Sequence, residues 1–230
     1  MLMKYSSELA TNYSQKREQF DETDKVLFGA LESVGVRDKR IVDLGCGDGR
    51  HARLIKEMGA VHVVGVDVNE KMIELAKEKS AKNPGVLFIV ADGRKLPLEE
   101  SSTDMVVSNF VIHYFSDAKE IFNEIGRVLK DTGYFIGTFN ITDVEKGFEH
   151  LRNQPMPIRL GQGEGSIVVQ NLIKSRQEIE AAIAEAGFAI KEEQELDHPN
   201  ATIDDSFPDK SRLQKHAVMM VLQKVPKVHS

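Results

Sequence analysis

Val42-Asp43-Leu44-Gly45-Cys46-Gly47-Asp48-Gly49-Arg50-His51 is the stretch that decides the fold of this chain. Ile41 to Leu44 read as a buried parallel strand, and the residues after the glycines as the start of a helix. Three glycines between the two let the backbone turn tightly enough for a ligand to approach the amides at the helix start. In a doubly wound sheet such a turn lies at the carboxyl end of a strand, where ligands collect. The stretch predicts a nucleoside cofactor site.

The spacing separates two cofactor classes. A dinucleotide fingerprint needs G-x-G-x-x-G, whereas the sixth position here is Arg50 and the glycines fall G-x-G-x-G. Asp43, two residues before Gly45, would repel a pyrophosphate but could meet an ammonium group. Together these residues resemble motif I of the class I S-adenosylmethionine-dependent methyltransferases. Read without that resemblance, the segment is a glycine-rich turn with a capping aspartate.

Two further strands end in an aspartate. Val61 to Val66 form an apolar run closed by Asp67, 22 residues after Gly45, and this carboxylate can accept both hydroxyls of a ribose. The alternative role, starting the helix Asn69 to Lys82, is already filled by Asn69. Val86 to Ala91 lead to Asp92-Gly93. The resemblance implies that this segment holds the adenine, with Asp92 accepting from the exocyclic amine, Gly93 leaving room at the ring edge, and Val68 and Met72 flanking the purine.

Asp104 to Ser108 give a fourth strand, and Asn109-Phe110-Val111-Ile112-His113-Tyr114-Phe115 after it resembles motif IV and the short active-site helix of small-molecule methyltransferases. Methyltransferases of exocyclic adenine amines carry a Pro-Pro-aromatic run after the Asn-type residue, which is missing here, so base methylation is disfavoured. His113 is the candidate general base, since its ordinary pKa suits proton removal near neutrality. Its other role is that of a packed, hydrogen-bonded spacer. The cofactor residues that the resemblance implies are Tyr13, Asp43, Gly45, Cys46, Gly47, Asp67, Val68, Met72, Asp92, Gly93 and Asn109.

The remaining chain alternates strands and helices, as in a βαβ sheet, and no linker or repeat divides its 230 residues. A helix is predicted over Glu22 to Val34. Ala118 to Lys130 carry apolar residues at helical spacing, and Asp131-Thr132-Gly133 breaks that pattern before the strand Tyr134 to Phe139. Glu178 to Ala186 make another helix stopped by Gly187, followed by an extended stretch Phe188 to Leu196 and a last strand Ala217 to Leu222. The expected fold is α/β, a Rossmann-like doubly wound seven-stranded sheet in one domain over 1–230, with helices on both faces. The resemblance implies that the last strand inserts antiparallel.

Three segments are expected to cover the open end of the site. In residues 1–35, Tyr5 and Tyr13 either form an aromatic lid near the sulfonium or are surface tyrosines beside a packing helix. Residues 141–174 hold Pro155, Pro157 and the glycines 161, 163 and 165. Without a strand before them and Lys-Ser/Thr after them, these glycines indicate a flexible hairpin or lid, not a phosphate loop. Residues 197–214 form either a pocket wall or a solvated loop.

A net charge of -6, with Lys and Arg scattered among acids, leaves no stripe for a phosphate backbone, so no nucleic-acid partner is expected. The longest apolar runs are far below membrane-spanning length and Met1 to Lys4 lack a signal-peptide core, from which a cytoplasmic protein without membrane contact is expected. Asn140-Ile141-Thr142 and Asn200-Ala201-Thr202 match a glycosylation pattern that a cytosolic chain would not use. The single cysteine, Cys46, rules out an internal disulfide and is expected to pack, and the seven histidines show no metal-ligand spacing, so no metal is expected.

The resemblance implies methyl transfer from S-adenosyl-L-methionine, leaving S-adenosyl-L-homocysteine, to an oxygen, nitrogen or carbon of a small-molecule acceptor, by a monomer or homodimer. Two rivals are a methyltransferase-like binding protein without catalysis and a nicotinamide-dependent oxidoreductase. Arg50 and Asp43 argue against the latter.

Overall fold

The computed structural model describes residues 14, 22–81, 85–160, 166–196 and 201–226. Strands β1 (Arg40–Leu44), β2 (His62–Asp67), β3 (Val86–Val90), β4 (Thr103–Asn109), β5 (Leu129–Val144), β8 (Phe188–Leu196) and β10 (Leu213–Lys224) form one sheet in the order β3-β2-β1-β4-β5-β10-β8. β10 runs antiparallel to both β5 and β8, and the others are parallel. This is the expected seven-stranded sheet. The carboxyl ends of β1, β2 and β4 therefore lie along one edge, with the strand order reversing at β1.

Side-chain alternation divides the core. Ile41, Val63, Met105 and Ile136 pack with helices α1 (Glu22–Val34), α2 (Arg50–Glu57) and α3 (Glu70–Lys79) on one face. Val42, Leu44, Val106, Phe135 and Phe139 pack with α4 (Ala118–Val128) and α5 (Arg176–Glu185) on the other. The helix starts follow from local chemistry. Asn69 accepts from the Lys71 and Met72 amides, Asp117 from Lys119 and Glu120, and Ser175 forms a capping box with Glu178. Each cap is worth about 1 kcal/mol.

Two departures from the sequence reading concern β5 and the loops. β5 is 16 residues long instead of the expected six, because β10 pairs with it from Tyr134 to Val144. The Asp131-Thr132-Gly133 signal makes a bulge within it, where the register with β4 shifts between Thr103 and Met105. The expected coverings 141–174 and 197–214 are not independent. β6 (Pro155–Leu160) pairs antiparallel with β7 (Ile167–Leu172), the hairpin expected there, and β9 (Ala201–Ile203) joins the other side of β6. The small sheet β7-β6-β9 has its own apolar core of Leu151, Met156, Ile158, Val169, Ile173 and Ala201. No described helix is long and apolar enough to cross a membrane.

Candidate active site

The turn after β1 is held from below. The Gly45 and Cys46 amides donate to the Val66 carbonyl at 2.7 and 3.0 Å, Gly49 donates to the Cys46 carbonyl at 2.9 Å, and Gly47 donates to the Asp67 carboxylate at 2.9 Å. These amides are thus used by the protein itself. The reason is the sharp return of the chain over the end of β2. A Cβ on Gly45, at φ 72°, would stand 2.2 Å from Val111 Cγ2, so only glycine lets the turn pass under the β4 loop.

Asp43 is 1% exposed and lies beneath the start of α2. Burial pushes its carboxyl up to about 6, against the lowering pull of His51 and the Ala52 amide. Its Oδ2 has no hydrogen-bond partner. Asp67 accepts the Asn69 amide at 2.8 Å as well as that of Gly47. Burial raises its pKa, and the backbone hydrogen bonds of Asn69, Gly47 and Val68 partly offset the rise. Cys46 is buried, and burial holds its thiol well above the usual range, so it packs and does not react.

The residues expected beside the adenine make contacts within the protein itself. The Asp92 carboxylate is bridged by Arg94, with Nη2 at 2.6 Å and Nε at 3.0 Å. A Cβ on Gly93 would meet Leu44, Ile121 and Phe115, so this residue is packed into the core under the site. Met72 is buried in the first turn of α3, and Val68 is half-buried.

Asn109 ends β4, and its side-chain oxygen accepts from the Thr138 hydroxyl. Phe110 follows at φ 57°, a strained value for a non-glycine residue at the rim of the site. His113 lies on the turn Ile112–Tyr114, is 2% exposed, and takes the Asn140 N–H on Nδ1 at 3.3 Å. Its ring lies 4.5 Å from that of Tyr114. A neutral imidazole accepting on Nδ1 carries its proton on Nε2. Tyr13 and Tyr5 lie outside the described residues.

Several site residues were not found from the sequence. Asp24 of α1 is completely buried and accepts from Arg50 Nη1 at 2.8 Å and from His51 Nε2 at 2.7 Å, tying α1 to the glycine turn. Ser14 donates to Asp48 at 2.7 Å, and Lys79 donates to both, at 3.0 and 2.7 Å. Burial raises the Asp48 carboxyl, but the hydrogen bonds from Lys79 and Ser14 outweigh it and leave it below its usual value. Ser14, Gly45, Cys46, Gly47, Asp48, Arg50, His51 and Asn109 enclose a cavity of about 60 Å³. Arg50 and His51 were in view in the quoted stretch. Their partner Asp24 carries no local signal, because one acid in an amphipathic helix reads as solvated.

Among the described residues no group of three or more His, Cys, Asp or Glu side chains could hold a metal ion.

Residues 42–137 match the family model described as a methyltransferase domain. The chain is 29% identical over 147 residues to a malonyl-[acyl-carrier protein] O-methyltransferase of Legionella pneumophila, a match covering 59% of this chain and 51% of that protein. It is 30% identical over 174 residues to a sterol 24-C-methyltransferase of Gibberella zeae, covering 73% and 44%. The chain thus spans about half the length of these curated relatives. A solved S-adenosylmethionine-dependent methyltransferase from Mesorhizobium loti superposes with a TM-score of 0.61 at 22% identity, over 86% of this chain and 97% of that one, which is a likeness of fold. The domain match over residues 42–137, these relatives and the likeness of the sheet together support a class I S-adenosylmethionine-dependent methyltransferase.

Proposed function

We propose that the chain transfers the methyl group of S-adenosylmethionine to an oxygen, nitrogen or carbon of a small-molecule acceptor. The observation that carries this reading is the buried Oδ2 of Asp43, a carboxylate oxygen without a partner at the floor of a glycine turn. An ammonium group is the partner that such an atom lacks, and an ammonium offsets the desolvation that raises its pKa. A pyrophosphate would add charge of the wrong sign, which weighs against the nicotinamide alternative.

The other residues fit the cofactor in part. Asp67 keeps acceptor capacity beyond its backbone partners and stands at the carboxyl end of β2, where a ribose diol would be held. Asp92 would accept from an adenine amine only alongside Arg94 or after its displacement. The cavity of about 60 Å³ is small beside the ~300–1,000 Å³ of ligand pockets, so binding requires Ser14 to move off Asp48 and Lys79.

When bound, the cofactor supplies an activated methyl group, so the protein's task is alignment and exclusion of water. Asn109, fixed by Thr138, and the turn Ile112–Tyr114 form the floor against which an acceptor would be oriented. His113, held by the Asn140 amide, would position that floor. Coverage by the small sheet β7-β6-β9 would keep the acceptor dry.

Titration calorimetry with S-adenosylhomocysteine, then incubation with methyl-labelled S-adenosylmethionine and an acceptor panel, tests the reading. Binding plus label transfer supports it. Binding with no transfer to any acceptor favours the non-catalytic alternative, and no binding by folded protein rejects both.

A further inference from the structure

Asn140 and Asn171 are 5% and 2% exposed, and the side-chain oxygen of each lacks a hydrogen-bond partner. Strand alternation puts Asn140 on the same face of β5 as Thr138, whose hydroxyl bonds the Asn109 side chain at the wall of the cavity beside Gly45. The Asn140 N–H donates to His113. Asn171 lies on the inner face of β7 between Val169 and Ile173, both buried in the apolar core of the small sheet. β7 packs on the turn that carries His113 and Tyr114. The Thr142 amide donates to the Lys174 carbonyl at 2.7 Å, clamping the end of β5 to the chain just after β7. Two strands from two different sheets, both packed on this turn, thus each carry a buried amide oxygen without a hydrogen-bond partner.

Nothing in packing asks for these amides. Val169 and Ile173 show that apolar side chains suit the neighbourhood of Asn171, and a buried acceptor without a donor costs stability that leucine would recover. What both oxygens lack is an N–H or O–H, and the turn on which their two strands pack is the floor against which an acceptor would be oriented.

We propose that Asn140 and Asn171 select the methyl acceptor by accepting hydrogen bonds from its N–H or O–H groups, so the acceptor is a hydroxyl- or amine-bearing compound and not a bare hydrocarbon. This rests on the methyl-transfer reading of the site. A pocket with polar groups awaiting a donor rejects an analogue that lacks it far more strongly than an apolar pocket discriminates by size.

The test uses the full chain saturated with S-adenosylhomocysteine and follows the ¹⁵N side-chain amide signals of Asn140 and Asn171, assigned through Asn140→Leu and Asn171→Leu. Phenol and aniline are titrated against anisole and toluene. Phenol and aniline should shift both amides and bind at least about tenfold more tightly than their donor-free counterparts. Each leucine variant should lose that preference without a lower melting temperature. Equal binding of phenol and anisole, or binding of neither, assigns the two oxygens to buried water and overturns the proposal. The comparison in the wild type needs no variant to fold. Repeating it without S-adenosylhomocysteine separates the two proposals: absence of cofactor binding removes the methyl-transfer reading while leaving a preference for phenol over anisole intact.

Discussion

The carboxylate of Asp67, at the end of β2, accepts the amide of Gly47, 20 residues earlier in the turn after β1, at 2.9 Å. One side chain therefore shapes the glycine turn and stands where a ribose would be held. Asp67→Ala should weaken S-adenosylhomocysteine binding by roughly 2 to 4 kcal/mol, through loss of the ligand bonds and of the turn geometry. Asp67→Asn, which can still accept the Gly47 amide, should lose less. Calorimetry on both variants checks this, and equal losses would count against a role in shaping the turn.

Gly45 and Val111 are in steric contact that leaves no room for a Cβ. Gly45→Ala should cost about 1 to 3 kcal/mol of stability from overpacking and the positive φ together. Val111→Ala in the same chain should recover the packing part alone. Gly47→Ala, which meets nothing within 4 Å, isolates the backbone part. Denaturant unfolding of the four proteins separates the terms. Full recovery by Val111→Ala would remove any backbone contribution.

Asp43 has its pKa raised from 3.8 to about 6 by burial, so the folded protein prefers the protonated acid. The stability this confers is complete below pH 3.8 and is lost as pH rises to about 6, a difference of about 3 kcal/mol. Asp43→Asn should therefore make the ligand-free protein more stable above pH 6 and flatten this dependence. Affinity for the cofactor ammonium should run the other way, rising as pH passes 6 and Asp43 ionises. Calorimetry from pH 5 to 8 on wild type and Asp43→Asn reads both. An unchanged binding profile in the variant would separate Asp43 from the ammonium.

Asp24 holds Arg50 and His51 from a fully buried position. Asp24→Ala leaves the Arg50 charge without this partner and should cost about 3 to 5 kcal/mol. Cofactor binding should fall with it, because α1 is then released from the start of α2. Thermal unfolding with and without S-adenosylhomocysteine gives the two numbers. A loss below about 1 kcal/mol would mean that solvent reaches the cluster.

Ser14 lines the cavity and is hydrogen-bonded to Asp48 and Lys79. Ser14→Ala should speed association with S-adenosylhomocysteine, since the hydroxyl bonds that must break on binding are absent. Stopped-flow measurement distinguishes this from a purely structural serine, for which that rate would not move.

The glycine turn, the three aspartates at strand ends and the Asn69 cap were legible in the sequence because each depends on residues within a few positions, whereas the Asp117 and Ser175 caps were not read from it. Among the described residues, period-2 and period-3.6 patterns located the seven strands of the main sheet and five helices, with β5 and β10 running well beyond their expected ends, and apolar alternation told which faces are buried. The length of β5 was not legible, since its far half is a strand only through pairing with β10. Nor was the occupation of Asp92 by Arg94 or the packing of His113, because both depend on where side chains come to rest. Tertiary structure alone decided that the two loops after β5 and β8 share one sheet, that Asp24 reaches Arg50 and His51, and that the side-chain oxygens of Asn140 and Asn171 are buried without a hydrogen-bond partner. The physical reason is the same in each case: a local pattern fixes which face of an element is buried, whereas the partner of a buried polar group comes from chain tens of residues away.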